Sequence, residues 1–170
     1  MKRVAFFVVL SASLIAGYYS MPYQKLPKDV VVDSLVVSKS EHNLIAYSKG
    51  IVIKKYTVSL GKGGNGKKQY EGDNKTPEGN YYINSKNPSS GFHKNLGISY
   101  PSPKDIAVAN SFGRAPGGDI KIHGLKNGQG FIGRFQRWRD WTNGCIGLTD
   151  DEIDDLYDHT PVGTTIKIIK

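Results

Sequence analysis

The chain has one cysteine, Cys145, within Asp140-Trp141-Thr142-Asn143-Gly144-Cys145-Ile146-Gly147-Leu148. A single thiol cannot close an intramolecular disulfide, and cysteine-paired zinc sites are excluded by the count. A thiol becomes a nucleophile when its pKa is lowered or a base takes its proton. The bases on offer are His42, His93, His123 and His159. His42 and His159 read as solvated turn residues, and His93, in Ser90-Gly91-Phe92-His93, as a residue that could line a cleft. His123 has the strongest claim. It ends the alternating stretch Asp119-Ile120-Lys121-Ile122-His123 against Gly124, and a strand end holds a side chain firmly while exposing it at a sheet rim. Gly144 permits a tight turn before the thiol. The amides of Gly144 and Cys145 are candidates to face a developing oxyanion. Two readings follow: a Cys–His acyl-transfer site, or a buried cysteine in a turn between apolar neighbours.

The elements that must position these residues are mostly strands. Val30–Val37, Asn43–Tyr47 and Ile51–Leu60 are rich in β-branched residues and read as an opening antiparallel meander. Gly61–Lys75 lacks the G-x-x-x-x-G-K-[ST] pattern and reads as a basic surface loop, not a phosphate loop. Asn80–Asn84 is a short strand. Pro88–Asp105, broken by Gly91, Gly97, Pro101 and Pro103, reads as irregular. Leu125–Arg139 is a basic, aromatic loop. Thr149, three residues before Glu152, marks the start of a helix over Asp150–Tyr157, with acids in its first turn. Thr164–Ile169 closes the chain as a strand.

The chain has 170 residues and a net charge of +8, with 38% hydrophobic and 22% charged residues. These values suit one globular domain and an anionic partner. Lys2 and Arg3 before the apolar run Val4–Ala16 have the order of an export signal or an anchor. Residues 1–20 are therefore expected to be a signal peptide or membrane anchor, 21–29 a spacer and 30–170 the folded domain. Export disfavours nucleic acid as the partner and favours an acidic envelope polymer.

Ile122-His123-Gly124 together with Thr142-Asn143-Gly144-Cys145-Ile146 resembles the signature of the L,D-transpeptidase catalytic domain, or YkuD, family. The segments Gly72–Tyr81, Ile98–Pro101 and Pro116–Gly124 also resemble family segments, in family order. The resemblance covers about Val30 to Lys170. It implies a mostly β, β-sandwich-like fold with one or two short helices, and a peptidoglycan substrate at the periplasm or cell envelope. It also implies a cysteine that attacks a tetrapeptide stem before its terminal D-residue. On that resemblance Cys145 is the nucleophile and His123 its base. Gly144 supplies an oxyanion amide, and Thr142 makes a supporting backbone or imidazole contact. No metal or cofactor is called for.

Two positions depart from the family pattern. Asn143 stands where many members have histidine, and Gly147 where many have arginine, a natural carboxylate partner. Arg134, Arg137 or Arg139 are candidates to replace that arginine, although a solvated basic loop accounts for them equally well. Trp138 and Trp141 could stack on sugar or stem peptide, or pack the loop down. The same Cys–His site would serve an L,D-carboxypeptidase or an amidase. A non-catalytic wall-binding module is the alternative of another class, and a thiol redox protein is disfavoured without a second cysteine.

Overall fold

The computed structural model describes Ser13, Ile15, Gly17, Tyr18 and residues 21–170. The expected export segment, residues 1–20, otherwise lies outside the described residues. Among the described residues no helix is long and apolar enough to cross a membrane.

Eight strands form one curled sheet. They are β1 (Ser34–Ser38), β2 (Asn43–Ser48), β3 (Ile51–Thr57), β4 (Gly79–Ser90), β5 (His93–Ile98), β6 (Lys121–His123), β7 (Ile146–Gly147) and β8 (Thr165–Ile169). Their spatial order is β3-β2-β1-β8-β4-β5-β6-β7. The first three make the antiparallel meander that their β-branched runs predict. β8 slots in parallel beside β1, Leu35 opposite Ile166 and Val37 opposite Ile168. All four of these side chains are buried, the period-2 alternation that a one-faced strand requires.

β4 holds the two halves together. Its first residues, Gly79–Tyr82, pair with β8. From Ile83 onward it pairs with β5. Pro88 survives near its far end because the register slips between Asn87 and Ser90, the kind of irregularity where a missing N–H costs little. The segment expected to be irregular is therefore ordered. β5 occupies its first half, and helix α1 (Pro103–Ser111) begins in its second. α1 starts with Pro103 in its first turn and a reciprocal Ser102–Asp105 capping box, so the prolines that suggested a break open a helix instead.

Helix α2 (Asp150–His159) buries Ile153 and Leu156 against the sheet. The Glu152 carboxylate accepts hydrogen bonds from the Thr149 N–H and hydroxyl at 3.0 and 2.9 Å. Between β6 and β7 runs a 3-10 segment, Gly130–Trp138, kinked at Gly133.

The expected surface loop at 61–75 is less superficial than its composition implies. Lys68 is buried and paired with Asp73 at 2.8 Å. Asp73 also accepts from the amides of Gln69 and Lys75. Buried Lys39 clamps the same loop through Gly66 O, Thr76 O and Glu78.

Candidate active site

The site is assembled at the sheet edge formed by β6 and β7. These strands are parallel, with Ile122 opposite Ile146 and His123 opposite Gly147. Ile122 and Ile146 are fully buried in the core. His123 ends β6 next to Ile122, and Cys145 directly precedes β7 next to Ile146, so Cys145 stands two residues before the position paired with His123. Ser59 bridges to Gly147 along the other edge of β7, which fixes the short strand on both sides.

The imidazole is held in one tautomer. His123 Nδ1 lies 2.7 Å from Gly124 O. A carbonyl only accepts, so Nδ1 carries the hydrogen and Nε2 carries the lone pair of the neutral ring. Burial holds this histidine below its usual pKa, with Lys121 adding to the effect and the Gly124 bond opposing it. The ring is packed between aromatics: Phe92 has its centroid at 4.8 Å, and Trp141 stands edge-on at 5.5 Å.

The thiol is turned to the backbone that leads into β6. Cys145 Sγ lies 3.7 Å from Asp119 O. Burial, the larger influence, pushes the thiol above its ordinary pKa, while the Lys121 amide pulls it down. Burial thus disfavours the charged form of both groups.

The turn before the cysteine is closed by Thr142. Its hydroxyl donates to Cys145 O at 2.7 Å and accepts from the Gly144 N–H at 3.2 Å. Gly144 has φ +130, and a Cβ there would stand 2.9 Å from Lys75 O. Only glycine meets both demands. Of the two amides flagged in the sequence, that of Gly144 is turned to the Thr142 hydroxyl. The Cys145 N–H makes no hydrogen bond among the described residues.

The remaining sequence candidates are dispersed. Trp141 joins the site, its Nε1 donating to Gln136 Oε1 at 2.9 Å. Arg134 is held by Tyr18 O and Met21 O, and Arg137 by Glu152 and the Tyr18 hydroxyl. His93 pairs with Asp154 of α2 at 2.9 Å. None of these three lines the cavity that holds His123. That cavity, about 350 Å³, is walled instead by Lys62, Phe92, Lys126 and Gln129 together with Trp141 and Thr142. Sequence reasoning singled out none of the first four. Phe92 arrives at the tip of the β4–β5 hairpin, and an aromatic beside a glycine carried no mark of that destination.

The architecture agrees with the comparisons. Residues 33–168 match the model of the YkuD family, the L,D-transpeptidase catalytic domain, and the chain belongs to that family. It is 29% identical over 168 residues to YqjB of Bacillus subtilis (strain 168), a protein named by inference as an L,D-transpeptidase, covering 96% of this chain and 84% of that one. Among solved structures it superposes on the helical cell shape determining protein Pgp2 from Campylobacter jejuni with a TM-score of 0.60 and 24% identity, over 84% of this chain. It spans about half, 49%, of Pgp2. It also superposes on an L,D-transpeptidase from Xylanimonas cellulosilytica with a TM-score of 0.56 and 16% identity, over 94% of this chain and 68% of that one. At these identities the structural likeness establishes the fold.

Proposed function

We propose that this chain is a peptidoglycan L,D-transpeptidase working through a Cys145 thioester on tetrapeptide stems, exported to the cell envelope. The observation that supports the reading is the β6–β7 register, in which His123 pairs with Gly147, two residues after Cys145. His123 Nε2, with its lone pair free, takes the Sγ–H proton as sulfur adds to the amide carbon before the terminal D-residue. The Cys145 N–H would then donate to the developing oxyanion. Collapse breaks the C–N bond, the imidazolium returns the proton to the leaving amine, and a thioester remains. An amine of a second stem then adds to it and gives its proton to Nε2. C–S cleavage regenerates the thiol, with the proton restored to sulfur. Water as the acceptor would give an L,D-carboxypeptidase by the same steps.

The net charge of +8 favours retention near an acidic polymer, and the family's fold and this site favour wall peptide over nucleic acid. The test is incubation with purified tetrapeptide muropeptides, read by mass spectrometry. Cross-linked dimer is the expected product, and tripeptide alone would assign hydrolysis. Cys145→Ser and His123→Ala are each expected to abolish product. Dimer formed at the wild-type rate by Cys145→Ser would overturn the mechanism and leave the non-catalytic wall-binding reading.

A further inference from the structure

The 3-10 segment between β6 and β7 presents two different faces. Ile132, Phe135 and Gln136 line a cleft of about 270 Å³, at whose border Arg139 lies exposed. Phe131 and Trp138 are instead 86% and 70% exposed, with the Trp138 ring edge-on to Phe135 at 5.0 Å. Large rings this exposed on one short segment mark a surface that meets a partner.

The chain entering the domain is seated on the same flank. The Tyr23 hydroxyl donates to Asp155 at 2.6 Å, and the Leu26 N–H donates to the same carboxylate at 3.0 Å. Arg134 of the 3-10 segment donates to Tyr18 O and Met21 O and lies over the Tyr18 ring at 5.4 Å. Tyr18 and Met21 are themselves exposed. The open hollow beside these residues, about 560 Å³, is lined by Lys25, Lys54, Arg134 and Arg137 and by no carboxylate. Asp155 meets Lys54 and Glu152 meets Arg137. Lys25 and Arg134 are left to act on what faces the flank, and Arg139, next to Trp138 in the chain, adds a third cation.

We propose that this flank, with the rings of Phe131, Trp138 and Tyr18 and the cations Lys25, Arg134 and Arg139, docks on the surface of an anionic lipid bilayer. Aromatic rings with cations beside them suit the membrane–water interface, where the rings enter at headgroup level and the cations meet lipid phosphates. A hydrated acidic polymer would satisfy the cations but leave the exposed rings in water. The apolar run Val4–Ala16 stands directly ahead of Tyr18 in the sequence, so a chain that met lipid through that run would bring this flank to the same surface. Docking does not depend on which reaction Cys145 and His123 perform.

The experiment mixes the full chain with vesicles of equal parts phosphatidylglycerol and phosphatidylcholine whose acyl chains carry bromine near the headgroup. Subtracting the emission of Trp138→Phe from that of the wild type isolates the Trp138 signal. Brominated lipid is expected to quench that signal. Such quenching reports docking of the folded domain, which attachment through residues 1–20 alone does not produce. Phe131→Ser is expected to lower the docked-to-undocked ratio by about tenfold, the scale of one buried ring. Lys25→Gln and Arg139→Gln are expected to lower it by about fivefold each, the scale of one cation at an anionic surface. Docking is expected to weaken as salt rises. Vesicle-bound protein with Trp138 unquenched, quenching as strong on pure phosphatidylcholine, or no binding at all overturns the proposal. So does retention on purified cell-wall sacculi that Phe131→Ser weakens while lipid leaves Trp138 unquenched, a result that assigns the flank to the wall instead. Phe131, Lys25 and Arg139 are exposed, and melting curves establish that each variant is folded.

Discussion

The Trp141 indole lies where a side chain at position 147 would go: a Cβ built on Gly147 meets Trp141 Cζ2 at 3.1 Å and Gln136 Oε1 at 3.3 Å. Position 147 is also the register partner of His123. The glycine, the indole and the glutamine are thus one packing unit, in which Gln136 also reaches Gly147 O at 3.4 Å.

Introducing the arginine that resembling sequences carry here should therefore damage the protein. Gly147→Arg would force the indole off His123 and cost about 1–3 kcal/mol as an overpacked site. The expected outcome is a melting temperature lowered by several degrees and little product. A Gly147→Arg protein that melts with the wild type and turns over faster would show that the indole is not a fixed wall.

The protonation states make a second prediction. Burial raises the Cys145 thiol and lowers His123. A lowered imidazole pKa keeps the neutral, proton-accepting ring present down to more acidic pH. Activity needing that ring should fall only as pH drops through a value below the usual histidine value of about 6.5. In the free enzyme, thiolate absorbance near 240 nm should rise with a midpoint on the alkaline side of about 8.5. A thiolate signal already complete at neutral pH would mean a standing thiolate–imidazolium pair and would reject the neutral-pair mechanism.

Thr142 supplies a third. Its hydroxyl closes the turn at both ends, to Cys145 O and from the Gly144 N–H. Thr142→Val keeps the shape but leaves a buried N–H and a carbonyl unpaired, at about 1–3 kcal/mol. Thr142→Ser keeps the hydroxyl. The valine variant should lose stability and most of its kcat, and the serine variant should retain most of both. Equal behaviour of the two would remove the hydroxyl from the account.

The strand that ends at His123 and the turn before Cys145 were legible in the sequence because each is a local signal, a strand stopped by glycine and a turn opened by one. The meander, β8 and α2 were legible for a similar reason, since their alternation and caps are short-range. β5 and α1 were hidden behind breakers. Pro88 is tolerated at a register slip and Pro103 in the first turn of a helix, and both tolerances depend on partners distant in sequence. The fate of the arginines was equally non-local. Glu152 claims Arg137 only because α2 packs beside the 3-10 segment, and nothing near Arg139 in the chain marks it as the one left facing the cleft. Burial of Lys39 and Lys68 was invisible because lysine in a glycine-rich stretch looks solvated until its carboxylate arrives from elsewhere.

β4 has the widest consequence. One unbroken backbone runs from β8 to β5 and serves both halves of the sheet. A molecule stitched in this way has no seam along which to gape. The edge formed by β6 and β7 offers no hinge between the halves, so the wall polymer of the proposed reaction would have to enter from the open rim, with side chains rather than the sheet giving way.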